Sequence, residues 1–190
     1  MSSTLNVYLV DLAELAAVVG SKDNERLDRM LAWEPDALLL GFDTDDRDDH
    51  VERNKDALRK IFAGGPFDDD DAEHYVEALE LICEDLGGPP FSGARFRFGS
   101  GDLPSIIEEL ASGMMEEDPF PDTPDLAESI EIAEGNGWGH MSKGDCAEEL
   151  DHWERAVAED PDYCAPFGPR IVEWLRRSKE VDKDLIGFWG

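Results

Sequence analysis

The chain has 190 residues, 41% hydrophobic and 33% charged, which suits one ordinary domain with a real core; its net charge of −29 comes from 46 acidic residues against 17 Lys and Arg. That balance argues against binding nucleic acid through phosphates, which needs a basic footprint, and against anionic membrane surfaces. No apolar run reaches the ~18 residues of a bilayer span, and MSSTLNVYLV lacks the basic and long apolar regions of a signal peptide, so a cytoplasmic protein is expected.

Three cysteines, Cys83, Cys146 and Cys164, lack framework spacing and fit a reducing compartment. The acidity has three readings: a solvated or salt-adapted surface, a face for a basic protein partner, and mimicry of nucleic acid. Over a folded surface of roughly 9,000 Å² the net charge averages about one per 300 Å², against about one per 100 Å² for a duplex. Mimicry needs the acids gathered on one face, and they are scattered.

In chain order, Thr4 to Asp11 is rich in Val, Leu and Tyr and reads as a strand. Asp11 then caps a helix, with Glu14 as capping-box partner and Gly20 as the stop. Ser21 is expected to cap a second helix through Leu27, Met30, Leu31 and Trp33, which Pro35 ends. Leu38 to Leu40 form an apolar segment of open type before an acidic loop at 42–50. A helix from about Val51 to Phe62 buries Leu58, Ile61 and Phe62, and Gly64-Gly65 ends it.

The best-specified stretch follows. Tyr75, Val76, Leu79, Ile82, Cys83 and Leu86 fall on one face of a helix, and Asp68 to Asp71 sit where an N-cap and a favourable charge belong. Glu77, Glu80 and Glu84 then take the polar side and continue these acids as a ridge, readable as a contact surface or as plain solvation.

After Pro89-Pro90, Ala94 to Phe98 alternates as a strand with Arg95 and Arg97 on one face, a rare basic pair that pairs with carboxylates or holds an anion. Asp102 begins a helix burying Ile106, Ile107 and Leu110. Residues 113–125 hold three prolines and five acids, a flexible loop within a single domain spanning 1–190. Helix is preferred from Thr123-Pro124 through Ile132. The Gly-rich GNGWGHMSKGDC at 135–146 reads as a loop, its Trp138 plugging the core or standing at a pocket mouth beside His140. Ser142 and Asp145 cap a helix through Leu150, Trp153 and Val157, ended by Pro161. A last helix runs from Ile171 to about Lys179, and LIGFWG closes the chain as an inner strand.

Chemistry-bearing motifs are sparse. His140, Cys146 and His152 lie six residues apart without the spacing of a metal site, and the acids at 43–49 lack the glycine and terminal glutamate of a calcium loop. No metal or cofactor is expected. The absence of a catalytic motif favours a non-enzymatic protein.

VYLVDLAELAAVVGSKD, IFAGGPF with YVEALELICEDLG, and the closing helix with LIGFWG together resemble an actinobacterial-type family of uncharacterised proteins, a domain of unknown function. More distantly, the order of elements is similar to YfbM-like proteins. The resemblance implies a mixed α+β domain, mainly helical, with the N- and C-terminal strands in one small sheet, and it transfers no catalytic residue.

The expected function is a binding module for a basic protein partner, immunity- or antitoxin-like, using Asp68, Asp69, Asp70, Glu73, Glu77 and Glu80. The competing readings are a small enzyme or ligand binder using 135–146, with Trp138, His140, Arg95 and Arg97, and a salt-adapted acidic domain with no specific basic partner.

Overall fold

The computed structural model describes residues 5–33, 47–87, 120, 122–131, 137–164 and 167–189. The chain opens on β1 (Leu5–Val10), followed by α1 (Leu12–Val18), α2 (Asn24–Leu31) and α3 (Arg47–Ala63). A 3-10 turn at Asp69–Asp71 leads into α4 (Ala72–Gly87). Then come α5 (Pro124–Glu131), β2 (Gly137–Met141), α6 (Lys143–Glu159), the short α7 (Pro161–Cys164), α8 (Gly168–Val181) and β3 (Asp184–Trp189). The protein is therefore a mainly helical α+β domain. Among the described residues, no helix is long and apolar enough to cross a membrane.

The sheet runs β1-β3-β2 with both pairings antiparallel, so the C-terminal strand lies between the N-terminal strand and β2. Register places Tyr8 and His140 opposite Ile186, and Trp138 opposite Phe188. Alternation sends Tyr8, Val10, Trp138, Ile186 and Phe188 to one face, where they join Leu15, Ile61, Tyr75 and Leu79 of the helices. Leu5, Val7, Met141 and Leu185 take the other face, with Leu150, Trp153, Ile171, Trp174 and Leu175. The molecule is thus three-layered, helix on sheet on helix. Burial on both faces explains why β1 and β3 read as nearly continuous apolar runs.

Asp11 caps α1 as expected, accepting from the backbone N–H of Ala13 at 2.9 Å and of Glu14 at 3.3 Å. Glu14 does not close a capping box; its carboxylate reaches Lys183 at 2.7 Å. The cap of α2 is Asp23, which accepts from Arg26 N–H at 3.0 Å, while Ser21 steadies Asp23 itself. The start of α3 lies at Arg47, inside the stretch read as loop, and its end is joined to the first helical pair through glycines. Gly20 and Gly64 both have positive φ, and Gly20 N–H donates to Ile61 O at 2.8 Å.

The Gly-rich stretch departs most from expectation. Residues 137–141 form a sheet strand rather than a loop, paired with β3 from Gly137 opposite Trp189 to Met141 opposite Leu185; glycine suits its first position, where the Trp189 ring lies over Gly137 and a Cβ would sit 1.8 Å from it. Within 113–125, Phe120 is buried against Trp138 and Pro124-Asp125 begin α5. Leu38 to Leu40, the strand expected at 94–98, the helix expected from Asp102 and residues 113–119 lie outside the described residues.

Candidate functional site

The helices α3 and α4 form an antiparallel hairpin, seen in the order of their pairings: Lys60 with Asp68 and Asp71, Arg53 with Asp71, and His50 with Glu77. At the hairpin's closed end, the Lys60 ammonium lies 2.6 Å from Asp68 and 2.7 Å from Asp71. The Arg53 guanidinium donates to Asp71 and to the Asp70 carbonyl, each at 2.9 Å. Burial works against the Asp71 carboxylate, but these two cations outweigh it and hold its pKa below the usual range. Asp68 makes no side-chain cap; extended backbone there feeds the 3-10 turn. The turn is an ordered acidic knuckle, clamped at its base, with Asp68, Asp69, Asp70 and Glu73 exposed.

The remainder of the ridge turns inward. Glu77 and Glu80 are buried at 3% and 5% exposure, so the outward face expected for them does not exist. Nearly every side chain of α4 from Ala72 to Cys83 is buried, because α3, α5, β1 and α1 all pack on the helix. Glu84 is half-buried, and its burial raises its carboxyl pKa.

Each buried glutamate is met by polar groups from distant sequence. Glu80 Oε1 accepts from Asn6 Nδ2 at 2.7 Å and from the Tyr8 hydroxyl at 2.9 Å, tying α4 to β1. Burial pushes the Glu80 carboxyl up to about 7; these two hydrogen bonds oppose the rise and the charges of Glu77 and Glu84 add to it. The Tyr8 phenol is raised, by burial first and then by Glu80.

Glu77 Oε2 lies 2.7 Å from His50 Nε2 and accepts from Asn54 Nδ2 at 2.7 Å. The amide orientation that gives Glu77 a donor leaves Asn54 Oδ1 to accept from His74 Nδ1 at 2.6 Å, which places the proton of neutral His74 on Nδ1. His74 is buried, and its pKa is lowered to about 4, by burial first and then by the Arg53 and His50 charges. The Glu77 carboxyl is raised by burial, with Asn54 and His50 opposing. One ligand atom from each of His50, His74 and Glu77 lies within 4.8 Å of the other two. Such a set can hold a cation.

Trp138 is the core plug, 7% exposed, stacked on Phe188 and in tilted contact with Phe120. His140 lies beside it on β2, ring centroids 5.9 Å apart, and burial lowers its pKa to about 4. Arg95 and Arg97 lie outside the described residues. Cys83, Cys146 and Cys164 are free, buried thiols, and His140, Cys146 and His152 do not form a ligand cluster among the described residues.

Sequence reasoning missed His50, Asn54, His74, Asn6 and Tyr8. A signal existed in His50-x3-Asn54 and His74-x2-Glu77, two helical spacings that meet only if the helices pair antiparallel at this register.

Fold and site together define a mainly helical α+β protein with a sheet buried on both faces and a polar cluster along one central helix. The chain belongs to the family described as Domain of unknown function (DUF7691), matched over residues 1–190. Nothing among the curated proteins and nothing among the solved structures matches it. The family match bears on neither an actinobacterial origin nor a YfbM-like relationship.

Proposed function

We propose that the protein is a non-enzymatic binding module for a basic protein partner, and that the acidic knuckle at the start of α4 is its contact. The observation that supports this reading most is the clamp of Lys60 and Arg53 on Asp68 and Asp71, which presents Asp69, Asp70 and Glu73 on an ordered turn. An ordered charged surface loses less entropy on binding than a loose one. Val181 is the one exposed large hydrophobic among the described residues, so the described surface offers a partner charge rather than apolar area. Glu77 and Glu80, being buried, leave the contact set. The N-terminal part of α3 adds exposed Asp49 beside the knuckle, Asp49 and Glu73 both acting on Arg53.

The test is affinity capture of cellular proteins with the wild-type chain and with D69K/D70K/E73K, at low and moderate salt. A basic protein retained by the wild type, lost from the triple variant and released by salt is the expected result. Recovery of no basic protein, or its equal recovery by both chains, contradicts the reading.

A further inference from the structure

Beyond partner binding, the geometry points to a site for a single divalent transition-metal ion, of the zinc or cobalt class, held by His50 and Glu77 with His74 between α3 and α4.

Four features of the molecule carry this inference. The first is the donor set. Two imidazoles and one carboxylate present ligand atoms within 4.8 Å of one another, and metal–ligand bonds of about 2.0–2.1 Å bring such atoms to a common centre after small side-chain rotations. Nitrogen donors select against calcium and magnesium, which take oxygen, and favour zinc, cobalt or nickel.

The second is support behind the donors. Asn54, fully buried, bridges two of the three residues, donating to Glu77 at 2.7 Å and accepting from His74 Nδ1 at 2.6 Å. Metal-bound histidines characteristically donate their other ring N–H to such a partner, which fixes ring and tautomer. The two imidazole rings meet edge to face, centroids 4.8 Å apart, beside the Glu77 carboxylate.

The third is access and charge. The His50 side chain is 20% exposed while that of Glu77 is 4%, so the cluster opens to solvent through His50. Asp49 and Asp71 lie close enough to favour positive charge at His74, opposed by Arg53, which Asp71 engages.

The fourth is coordination number. Among the described residues the ligands number three, which would leave one position of a tetrahedral ion for a further donor, whether water, another group of the protein or an atom of a bound molecule.

The experiment is titration of the untagged full chain with Co²⁺, followed by visible absorption, and with Zn²⁺, followed by calorimetry, with Ca²⁺ and Mg²⁺ as competitors. The expected result is one Co²⁺ or Zn²⁺ per chain, a d–d spectrum of low-coordinate cobalt, and no displacement by excess Ca²⁺. H50Q, chosen because His50 is the least buried ligand, and H74Q each remove a ligand and should weaken binding by more than the roughly ten- to a hundred-fold that loss of a supporting partner costs; H152Q, an exposed histidine on α6, should leave it unchanged. Circular dichroism establishes that each variant is folded. If H74Q does not fold, the wild-type spectrum and H50Q still decide. Weak, multiple binding displaced by Ca²⁺, no binding at all, or equal binding by wild type and H50Q overturns the site.

Discussion

Glu80 shows how far a single residue's setting can differ from its place in a pattern. In helical spacing it follows Glu73 and Glu77 along one stripe, and nothing within α4 says that Asn6 and Tyr8, 74 and 72 residues away, will meet it. The folded protein holds a proton on Glu80 up to about pH 7, whereas the unfolded chain releases it near 4.5. Its contribution to stability is therefore fully present below pH 4.5 and is lost as pH rises through 7. Glu80→Gln keeps an oxygen to accept from Asn6 and Tyr8 and removes the charge, so the variant should melt higher than wild type above pH 7. Melting curves across pH 4 to 8 should also show a weaker pH dependence. Trp138 is the opposite case: a large aromatic flanked by glycines in an otherwise polar stretch is legible as a plug. Trp138→Ala, which empties the space between Phe120 and Phe188, should cost about 3–5 kcal/mol in denaturant unfolding.

At the scale of elements, α4 was legible in its apolar stripe and its boundaries, and illegible in its polar side. Periodicity reports which residues prefer to be inside; it does not report that a second layer will cover the remaining face. Distant partners make that coverage tolerable here, since Asn54, Asn6 and Tyr8 satisfy carboxylates that would otherwise be buried unpaired. The strand β2 was illegible for a different reason. Glycines depress strand propensity, yet Gly137 is required where the Trp189 ring lies over it, a contact between residues 52 positions apart. The glycine stops, by contrast, were legible from local chemistry alone. Gly64 has φ +82, and a Cβ on it would come 3.1 Å from the Gly20 Cα. Gly64→Ala should lower stability by about 1–2 kcal/mol from the backbone conformation alone, with a further loss where α1 meets α3, measurable by thermal or denaturant unfolding.

Among the described residues the whole molecule is built on a sheet of three strands buried on both faces, and both terminal strands are needed to make it: β3 pairs with β1 on one edge and with β2 on the other. Apolar runs at the two ends made β1 and β3 readable as strands, and the family resemblance implied that they share a sheet, whereas β2 and the layering that hides one side of α4 depend on contacts no local window contains. The same layering separates the acids of this helix into two populations, an outer knuckle of Asp69, Asp70 and Glu73 and an inner pair of Glu77 and Glu80. Thermal unfolding of D69K/D70K/E73K beside E77K tests that separation most directly. The triple reversal lies on exposed, solvated positions and should melt near wild type, each change being within ~0.5 kcal/mol. E77K replaces the carboxylate between His50 and Asn54 with a buried ammonium, and it should lose on the order of 3–5 kcal/mol or fail to fold. A triple variant that unfolds, or an E77K protein that melts with the wild type, would contradict the assignment of these acids to an exposed knuckle and a buried pair.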